Sequence, residues 1–289
     1  MNKKVYRIPF KNYYTRAYVF GDISKGVPLI ILHGGPGGCI ERYEPLEKLA
    51  DFGIPLIFYD QLGCGYSKVP KNLGIAWNFP LFLEDFENLV KYFGLKKFSI
   101  LGHSWGGMLA LEWVCNFPHS NLDKLILFST LPSTKIWNEE HIKMLDEFPR
   151  EEKDAILAQY LGEKFDLNSY RSGIKRFYKE HVGKRSKELF DFKTKRFPKT
   201  NKEIYGLMWG DSELFGTGTL KDWSVEDKLE RVDVPTLIIS GALDESTPRM
   251  NELMNDKIKG SKWLLLKKSH HIGYVEETDE VIKAIKSFI

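Results

Sequence analysis

One serine in this sequence stands among glycines in a way that suits a nucleophile. The stretch Gly102-His103-Ser104-Trp105-Gly106 fits the pattern G-x-S-x-G, with apolar residues before it and a helix-like segment after it. In a tight turn from a strand into a helix, the two backbones approach so closely that side chains at the outer positions would clash. The serine is then raised to the top of the turn with its hydroxyl clear of the backbone. We therefore predict that Ser104 is a nucleophile.

A serine hydroxyl reacts only when a base takes its proton and a third group orients that base. After a turn of this kind, the acid and then the histidine follow later strands along the chain. Asp244 follows the apolar run VPTLIISGAL and is the predicted acid, although taken alone it also suits a turn or a helix cap. His270 and His271 follow the next run, KWLLLKK, and these features leave both open as the base.

The glycine-rich loop and the histidine pair argue against phosphate and metal sites. The loop HGGPGG at residues 33–38 lacks both the Lys-Ser/Thr pair of a P-loop and the spacing G-x-G-x-x-G. The pair His270-His271 has no third ligand at a useful spacing, so we expect no metal, and this mechanism needs no cofactor. Glycines do allow backbone N–H groups to approach a developing oxyanion. We predict that the N–H groups of Gly35 and Trp105 form that oxyanion hole.

Short apolar runs recur along the chain, and each is typical of a strand buried on both faces. The runs are VPLIIL, IPLIFYD, KFSIL, LDKLILF, VPTLIIS and SKWLLL. Helix-like segments such as FPLFLEDFENLVKYFG and ETDEVIKAIKSFI alternate with them, and KVYRIPF with YYTRAYVFG predicts a β-hairpin. This alternation predicts an α/β fold in which a mostly parallel central sheet carries helices on both faces.

The middle of the chain interrupts this alternation. From Pro132 to Trp223 the sequence holds amphipathic and aromatic-rich stretches but no strand-like run. A connection of that length is too long for a loop in a compact domain. We therefore predict a helical cap domain over residues 132–223, inserted into a core domain formed by residues 1–131 and 224–289.

Composition argues against several classes of function. Hydrophobic residues make up 43% of the 289 residues, which is enough for a large core, and the net charge is only +3 without a long basic run. We therefore expect no nucleic-acid partner. No stretch approaches about 18 apolar residues and none follows the basic N-terminus, so we expect neither membrane association nor a signal peptide. Three widely spaced cysteines indicate free thiols in a cytoplasmic protein.

Several motifs together resemble those of the α/β-hydrolase superfamily and, within it, of the proline iminopeptidases. LHGGPGG resembles that family's HGGPG loop, FYDQLGCGYS its YDQxGxGxS segment, GHSWGGMLAL its serine turn and GALDESTP its acid loop. The resemblance covers nearly the whole chain and implies an α/β-hydrolase fold with an inserted cap. Members of the superfamily often carry a glutamate five positions after the catalytic histidine, and Glu276 stands five after His271. The resemblance therefore favours His271 over His270 as the base.

The resemblance also implies a binding site for the free N-terminus of a substrate. GDSELFGTGTLKDW is similar to a segment near the end of the family's cap and points to Glu213, while Glu245 is similar to the family's second acidic residue. Carboxylates hold an ammonium group through charge-assisted hydrogen bonds. Two close carboxylates repel each other, so the pair should share a proton when no amine is bound. Trp105 and Trp209 are candidates for the walls of a slot that takes a proline ring.

The function implied by the resemblance is that of a serine exopeptidase, which releases the N-terminal residue, preferentially proline, from small peptides. An esterase, a lactonase or an amino-acid amidase on the same scaffold stays open, because a fold does not fix a substrate. A non-catalytic ligand-binding protein is a third hypothesis, and the complete set of Ser104, Asp244 and His271 argues against it. The sequence leaves the oligomeric state open.

Overall fold

Eight strands form one central sheet in the computed structural model, which describes residues 3–70, 74–183 and 200–289. The strands are β1 (Lys3–Phe10), β2 (Tyr13–Phe20), β3 (Leu29–Leu32), β4 (Leu56–Asp60), β5 (Phe98–His103), β6 (Leu122–Phe128), β7 (Thr236–Gly241) and β8 (Lys262–Leu266). Their order in the sheet is β1-β2-β4-β3-β5-β6-β7-β8. β2 pairs antiparallel with β1 and β4, and all other neighbours are parallel. The predicted hairpin and the mostly parallel sheet are confirmed.

Helices connect the parallel strands. The α-helices of the described residues are α1 (Phe79–Tyr92), α2 (Trp105–Asn116), α3 (Thr134–Met144), α4 (Arg150–Tyr160), α5 (Leu167–Phe177), α6 (Lys202–Met208), α7 (Pro248–Lys257), α8 (Gly273–Glu276) and α9 (Thr278–Phe288). Segments of 3₁₀-helix occur at Ile40–Phe52, Leu145–Glu147 and Glu226–Arg231, and a π-helical turn at Tyr178–Val182. Within the described parts of the chain, no helix is long and apolar enough to cross a membrane.

The central strands bury side chains on both faces of the sheet. Along β3, Leu29 and Ile31 pack into one hydrophobic cluster, while Ile30 and Leu32 pack into the other. This division follows from the two-residue period of a strand, in which successive side chains point to opposite faces. Helices α1, α2 and α7 cover one cluster, and the segment Ile40–Phe52 with α8 and α9 covers the other. The predicted α/β fold with helices on both faces is confirmed.

A helical segment leaves the sheet after β6 and returns before β7. Backbone hydrogen bonds join its two ends: the N–H of Thr134 donates to the carbonyl of Trp223, and the N–H of Val225 donates to that of Pro132, each at 2.9 Å. Helices α3 to α6 lie in this segment, which also has a small apolar cluster of its own. Residues 184–199 of the predicted cap lie outside the described residues. The domain bounds 132–223 stay a prediction.

The turn between β5 and α2 brings three pieces of backbone together. A Cβ atom at Gly106 would lie only 2.1 Å from the carbonyl oxygen of Leu32, at the end of β3. Backbone cannot move away as a flexible side chain can, so α2 approaches β3 this closely only because residue 106 is glycine. The start of α2 is thereby fixed against the middle of the sheet.

Gly106→Ala is expected to lower the free energy of unfolding by about 3 kcal/mol, because the added methyl group must push α2 away from β3. The matched control is Gly206→Ala in α6, where an added Cβ meets no atom within 4 Å. That variant should be stabilised by about 0.5–1 kcal/mol, since alanine has the higher helix propensity. Urea unfolding followed by circular dichroism compares the two, and equal effects would contradict the steric explanation.

Candidate active site

Ser104 sits in the turn between β5 and α2, in a backbone conformation that few residues other than glycine adopt. Its φ is 54° and its ψ is −122°, and its side chain is buried, with 7% of the residue exposed. Such a conformation costs free energy and persists only where the surroundings enforce it. Here the N–H of Ser104 donates to the carbonyl of Phe128 at 2.9 Å, and its own carbonyl accepts from Gly107 and from the hydroxyl of Thr130, each at 2.8 Å. The turn is therefore held from both sides.

His271 and Asp244 form a buried pair at the ends of neighbouring strands. Asp244 follows β7 and His271 follows β8, and His271 Nδ1 lies 2.9 Å from Asp244 Oδ1. The carboxylate also accepts hydrogen bonds from the N–H groups of Ser246 at 2.8 Å and Gly241 at 3.3 Å. Burial alone would lower the pKa of His271 and raise that of Asp244. The mutual attraction outweighs burial, so the pKa of His271 is raised and that of Asp244 is lowered.

The neighbouring His270 has a different carboxylate partner. His270 Nδ1 lies 2.9 Å from Glu276 Oε1, and the backbone N–H of His270 donates to the other oxygen of Glu276 at 2.7 Å. The geometry thus places His271, rather than His270, against Asp244. The spacing argument that favoured His271 relied on Glu276, and the structure pairs Glu276 with His270 instead. The two histidines are distinguished by their partners, which sequence spacing does not reveal.

The residues predicted to hold an oxyanion line one cavity with the nucleophile. Its lining residues are Gly35, Ser104, Trp105, Met108, Leu131, Trp137, Trp209 and Glu213. The N–H of Trp105 is at the first position of α2, where no acceptor exists within the helix. A Cβ at Gly35 would lie 2.6 Å from the nitrogen of Gly37, and φ at Gly35 is +138°, so only glycine suits this position.

Glu213 and Glu245 meet beside His271, although they come from distant parts of the chain. A carboxylate oxygen of each and a ring nitrogen of His271 all lie within 4.8 Å of one another, and Glu245 Oε1 is 3.4 Å from His271 Nδ1. Glu245 is fully buried, and neither of its carboxylate oxygens has a hydrogen-bond partner among the described residues. Burial, followed by the charges of Glu213 and Asp244, raises the pKa of Glu245 well above its usual value. Two carboxyl groups this close together suit the binding of a cation.

Aromatic side chains of the helical segment hold the backbone and side chain of Glu213. The indole N–H groups of Trp137 and Trp209 both donate to the carbonyl of Glu213, at 3.2 Å and 3.3 Å. The hydroxyl of Tyr205 donates to the Glu213 carboxylate, and burial followed by the charge of Glu213 raises the pKa of Tyr205. Sequence reasoning had named Trp209 only as a wall of a pocket. Tyr205 was missed, since a single tyrosine in an aromatic-rich segment gives no signal.

His141 links the two segments that carry the glutamates. Its Nδ1 lies 2.6 Å from the carbonyl oxygen of Leu214, directly after Glu213, and its Nε2 lies 2.9 Å from that of Glu245. A neutral ring donates only one of these hydrogen bonds. Burial lowers the pKa of His141 to about 4, so the buried ring is neutral near pH 7. The sequence analysis gave this histidine no role, because nothing in its spacing relates it to either glutamate.

Gln61 cross-links the two sides of the predicted oxyanion hole. Its side-chain N–H donates to the carbonyl of His33 at 3.0 Å, and its side-chain oxygen accepts from the indole N–H of Trp105 at 2.8 Å. Its backbone N–H also donates to His33 Nε2 at 3.1 Å. The glutamine thus fixes Trp105 relative to the loop that contains Gly35. The motif FYDQLGCGYS contains Gln61, but its pattern alone gave this residue no role.

The fold agrees with a comparison to known proteins. A family model described as the alpha/beta hydrolase fold matches residues 27–278. This range contains β3 to β8, the turn at Ser104 and the pair of Asp244 and His271. The chain is therefore an α/β hydrolase.

Comparison with individual relatives identifies a family within the α/β hydrolases. The chain is 34% identical to the proline iminopeptidase of Lactobacillus acidophilus over 98% of its own length and 97% of that protein. It is also 34% identical to the proline iminopeptidase of Clostridium botulinum, with 98% and 96% covered. The crystal structure of the Mycobacterium smegmatis proline iminopeptidase superposes with a TM-score of 0.84 at 27% identity, over 99% of this chain and 97% of that one. The chain belongs to the proline iminopeptidase family.

Asp244→Asn is expected to lower the pKa of His271 below its ordinary value of about 6.5, because burial then acts on the ring without the opposing carboxylate. In the wild type the pKa lies above that value, so the ring gains its proton at a higher pH. NMR titration of the imidazole signals measures the pKa of His271 in the wild type and in the variant. Asp279→Asn, at an exposed carboxylate paired with Lys48, is the control. An unchanged His271 titration in Asp244→Asn would rule out the pairing.

Proposed function

We propose that this chain is a serine aminopeptidase that releases the N-terminal residue, preferentially proline, from small peptides. The observation that carries the proposal is the pair formed beside His271 by the half-buried Glu213 and the fully buried Glu245. A carboxyl group without hydrogen-bond partners in the interior is costly unless a ligand supplies the missing donors. The α-ammonium group of a peptide supplies them. The names of the relatives described above support the same activity.

The reaction begins with attack on the carbonyl of the first residue. His271 Nε2 accepts the proton of the Ser104 hydroxyl as its oxygen bonds to the carbonyl carbon, while Asp244 keeps Nδ1–H oriented and stabilises the imidazolium. The carbonyl oxygen becomes an oxyanion, and the N–H groups of Gly35 and Trp105 donate hydrogen bonds to it. Loss of one such donor generally costs about 3 kcal/mol of transition-state stabilisation.

Collapse of the tetrahedral intermediate completes the first half of the reaction. The C–N bond breaks, and the imidazolium of His271 gives its proton to the leaving amine, which departs as the shortened peptide. The first residue remains esterified to Ser104. Water then attacks the ester as His271 accepts its proton, and the free amino acid leaves after the Ser104 oxygen regains a proton. No cofactor takes part in these steps.

The acidic pair explains why only the first residue is released. An amine held by Glu213 and Glu245 places the carbonyl of its own residue at Ser104, so a carbonyl further along the peptide lies out of reach. In the empty site the raised pKa of Glu245 keeps a proton on the pair. Binding of an ammonium group relieves the repulsion and releases that proton. A capped N-terminus offers no positive charge in exchange.

The shape and chemistry of the pocket favour a small ring with a secondary amine. The cavity at Ser104 is walled by apolar side chains, including Trp105, Trp209 and Leu131. A prolyl N-terminus has two N–H donors, which matches the number of carboxyl groups in the pair. Preference for proline over other small residues then depends on pocket shape, for which one methylene is worth about 1–3 kcal/mol.

Other activities on the same scaffold make different demands on the site. An esterase or a lactonase needs Ser104, His271 and the oxyanion donors, but it has no use for two carboxyl groups beside the base. An amino-acid amidase would use the same pair and differ only in the leaving group. The acidic pair therefore favours substrates with a free amine over neutral esters.

We further propose that the partners are small peptides with a free N-terminus, without nucleic acid or membrane, and that the location is cytoplasmic. The cysteines Cys39, Cys64 and Cys115 are all buried and none forms a disulfide among the described residues, which suits a reducing compartment. Fractionation of the source cells tests the location, and recovery in a secreted or membrane fraction would contradict it.

Glu213→Gln is expected to lower kcat/KM for a prolyl chromogenic amide about 100-fold, because a charge-assisted hydrogen bond to the ammonium is lost. The same variant should hardly affect an acetyl ester, which has no amine. Prolyl, alanyl and N-acetyl-prolyl amides are compared in steady-state assays, with the exposed Glu163→Gln as the control. Equal wild-type rates on the free and the acetylated prolyl amide would refute the aminopeptidase function.

Ser104→Ala is expected to abolish labelling by a fluorophosphonate probe and to reduce turnover at least about 10⁴-fold, since the nucleophile is gone. Ser99→Ala removes a buried hydroxyl that has no hydrogen-bond partner in the described part of the chain, from the strand that leads to Ser104, and it should keep full labelling. Mass spectrometry of the labelled peptide locates the adduct. Binding of prolyl peptides by a wild type that the probe does not label would favour the non-catalytic hypothesis.

A further inference from the structure

A chain of hydrogen bonds lies beneath the nucleophile and joins three separate loops. The N–H of Gly34 donates to the hydroxyl oxygen of Tyr43 at 2.7 Å. That oxygen lies 2.8 Å from His103 Nδ1, and His103 Nε2 lies 2.9 Å from the carbonyl oxygen of His271. Three of the four members are next to a residue of the proposed mechanism or belong to it: Gly34 precedes Gly35, His103 precedes Ser104, and His271 is the proposed base.

The chemistry of the groups fixes the direction of every bond in this chain. The N–H of Gly34 can only donate, so the oxygen of Tyr43 accepts there and its own proton points to His103 Nδ1. Nδ1 is then an acceptor, which leaves the ring proton of the neutral imidazole on Nε2. The carbonyl of His271 can only accept, and Nε2–H donates to it. One neutral tautomer satisfies all three contacts.

The surroundings keep this ring neutral and in place. Tyr43, His103 and His271 are all at most 5% exposed, and Tyr43 stacks on the ring of Tyr274 with centroids 4.8 Å apart. Burial lowers the pKa of His103 to about 3, and the charge of a protonated His271 acts in the same direction. Because the ring carries no charge at neutral pH, the chain holds its partners without disturbing the proton transfers of His271.

We propose that Tyr43 and His103 are positioning residues. They hold the glycine loop at residues 33–38, the turn at Ser104 and the loop at His271 in fixed positions relative to one another. Neither residue touches the substrate. Each acts by fixing the backbone next to a reacting group: Gly34 beside the oxyanion donor Gly35, and the carbonyl of His271 behind its imidazole. Displacement of such groups by about 1 Å generally costs up to 100-fold in rate.

This inference rests on the proposed roles of Ser104, His271 and Gly35, but it does not depend on an amine in the substrate. The positioning chain should therefore matter for a simple acetyl ester as much as for a prolyl amide. Glu213 should matter only for the amide. The two substrates thus separate failure of the positioning chain from failure of the aminopeptidase function.

Tyr43→Phe keeps the aromatic ring but removes the hydroxyl at the centre of the chain. We expect kcat per active site, counted with a fluorophosphonate, to fall roughly 10- to 100-fold on both substrates, with KM unchanged. Tyr59→Phe is the matched control, because the buried hydroxyl of Tyr59 in β4 has no hydrogen-bond partner among the described residues. An unchanged kcat in Tyr43→Phe, per titrated site, would overturn the inference.

Substitutions at His103 test the same chain should Tyr43→Phe fail to fold. The amide of His103→Gln has one acceptor and one donor and can replace both ring contacts, whereas His103→Leu has neither. We expect His103→Gln to retain more of the wild-type kcat than His103→Leu, by about 10-fold or more. Equal loss in the two variants would show that only the volume of the side chain matters and would overturn the inference.

Discussion

The close approach of three backbones at the serine turn is the constraint on which the rest of the site depends. Ser104 holds a positive φ, and α2 can begin against β3 only because residue 106 has no side chain. This approach brings the N-terminus of α2, and with it the N–H of Trp105, to the loop after β3. Because β3 and β5 are neighbours in the sheet, the glycine loop and the serine turn emerge at the same edge. The oxyanion site follows from the sheet order.

Two polar environments adjoin this turn, and they differ in how completely their hydrogen-bonding groups are paired. On the oxyanion side, Gln61, Tyr43 and His103 form neutral hydrogen bonds whose donors and acceptors are matched. Such a network resists change, since breaking one bond leaves a buried group unpaired. On the side of the acidic pair, the buried carboxyl of Glu245 has no hydrogen-bond partner among the described residues. Under the proposed function, the site is therefore rigid where the reaction takes place and incomplete where the amine is recognised.

The sequence predicted the sheet well because buried parallel strands are continuous apolar runs, and each run proved to be a strand. It did not predict the 3₁₀ segment at Ile40–Phe52, which contains a proline, or α7, whose polar composition hides its buried face. The site residues that follow strand ends could be named from their order along the chain alone. His141 and Tyr43 could not, because their roles depend on backbone carbonyl and N–H groups brought together from remote parts of the chain. No side-chain pattern records such contacts.

The loop after β7 shows how surroundings, rather than residue type, decide what a carboxyl group does. Asp244 and Glu245 are adjacent and equally buried, yet folding lowers the pKa of the first and raises that of the second. Asp244 has the ring of His271 and two backbone N–H groups to offset its burial. Burial and the charge of Glu213 make the ionised form of Glu245 unfavourable, although its Oε1 also lies 3.4 Å from His271 Nδ1. Under the proposed function, one short loop thus supplies an ionised partner for the base and a carboxyl group that ionises on binding an amine. Because Glu213 comes from the helical segment between β6 and β7, the second group works only while that segment is packed on the sheet.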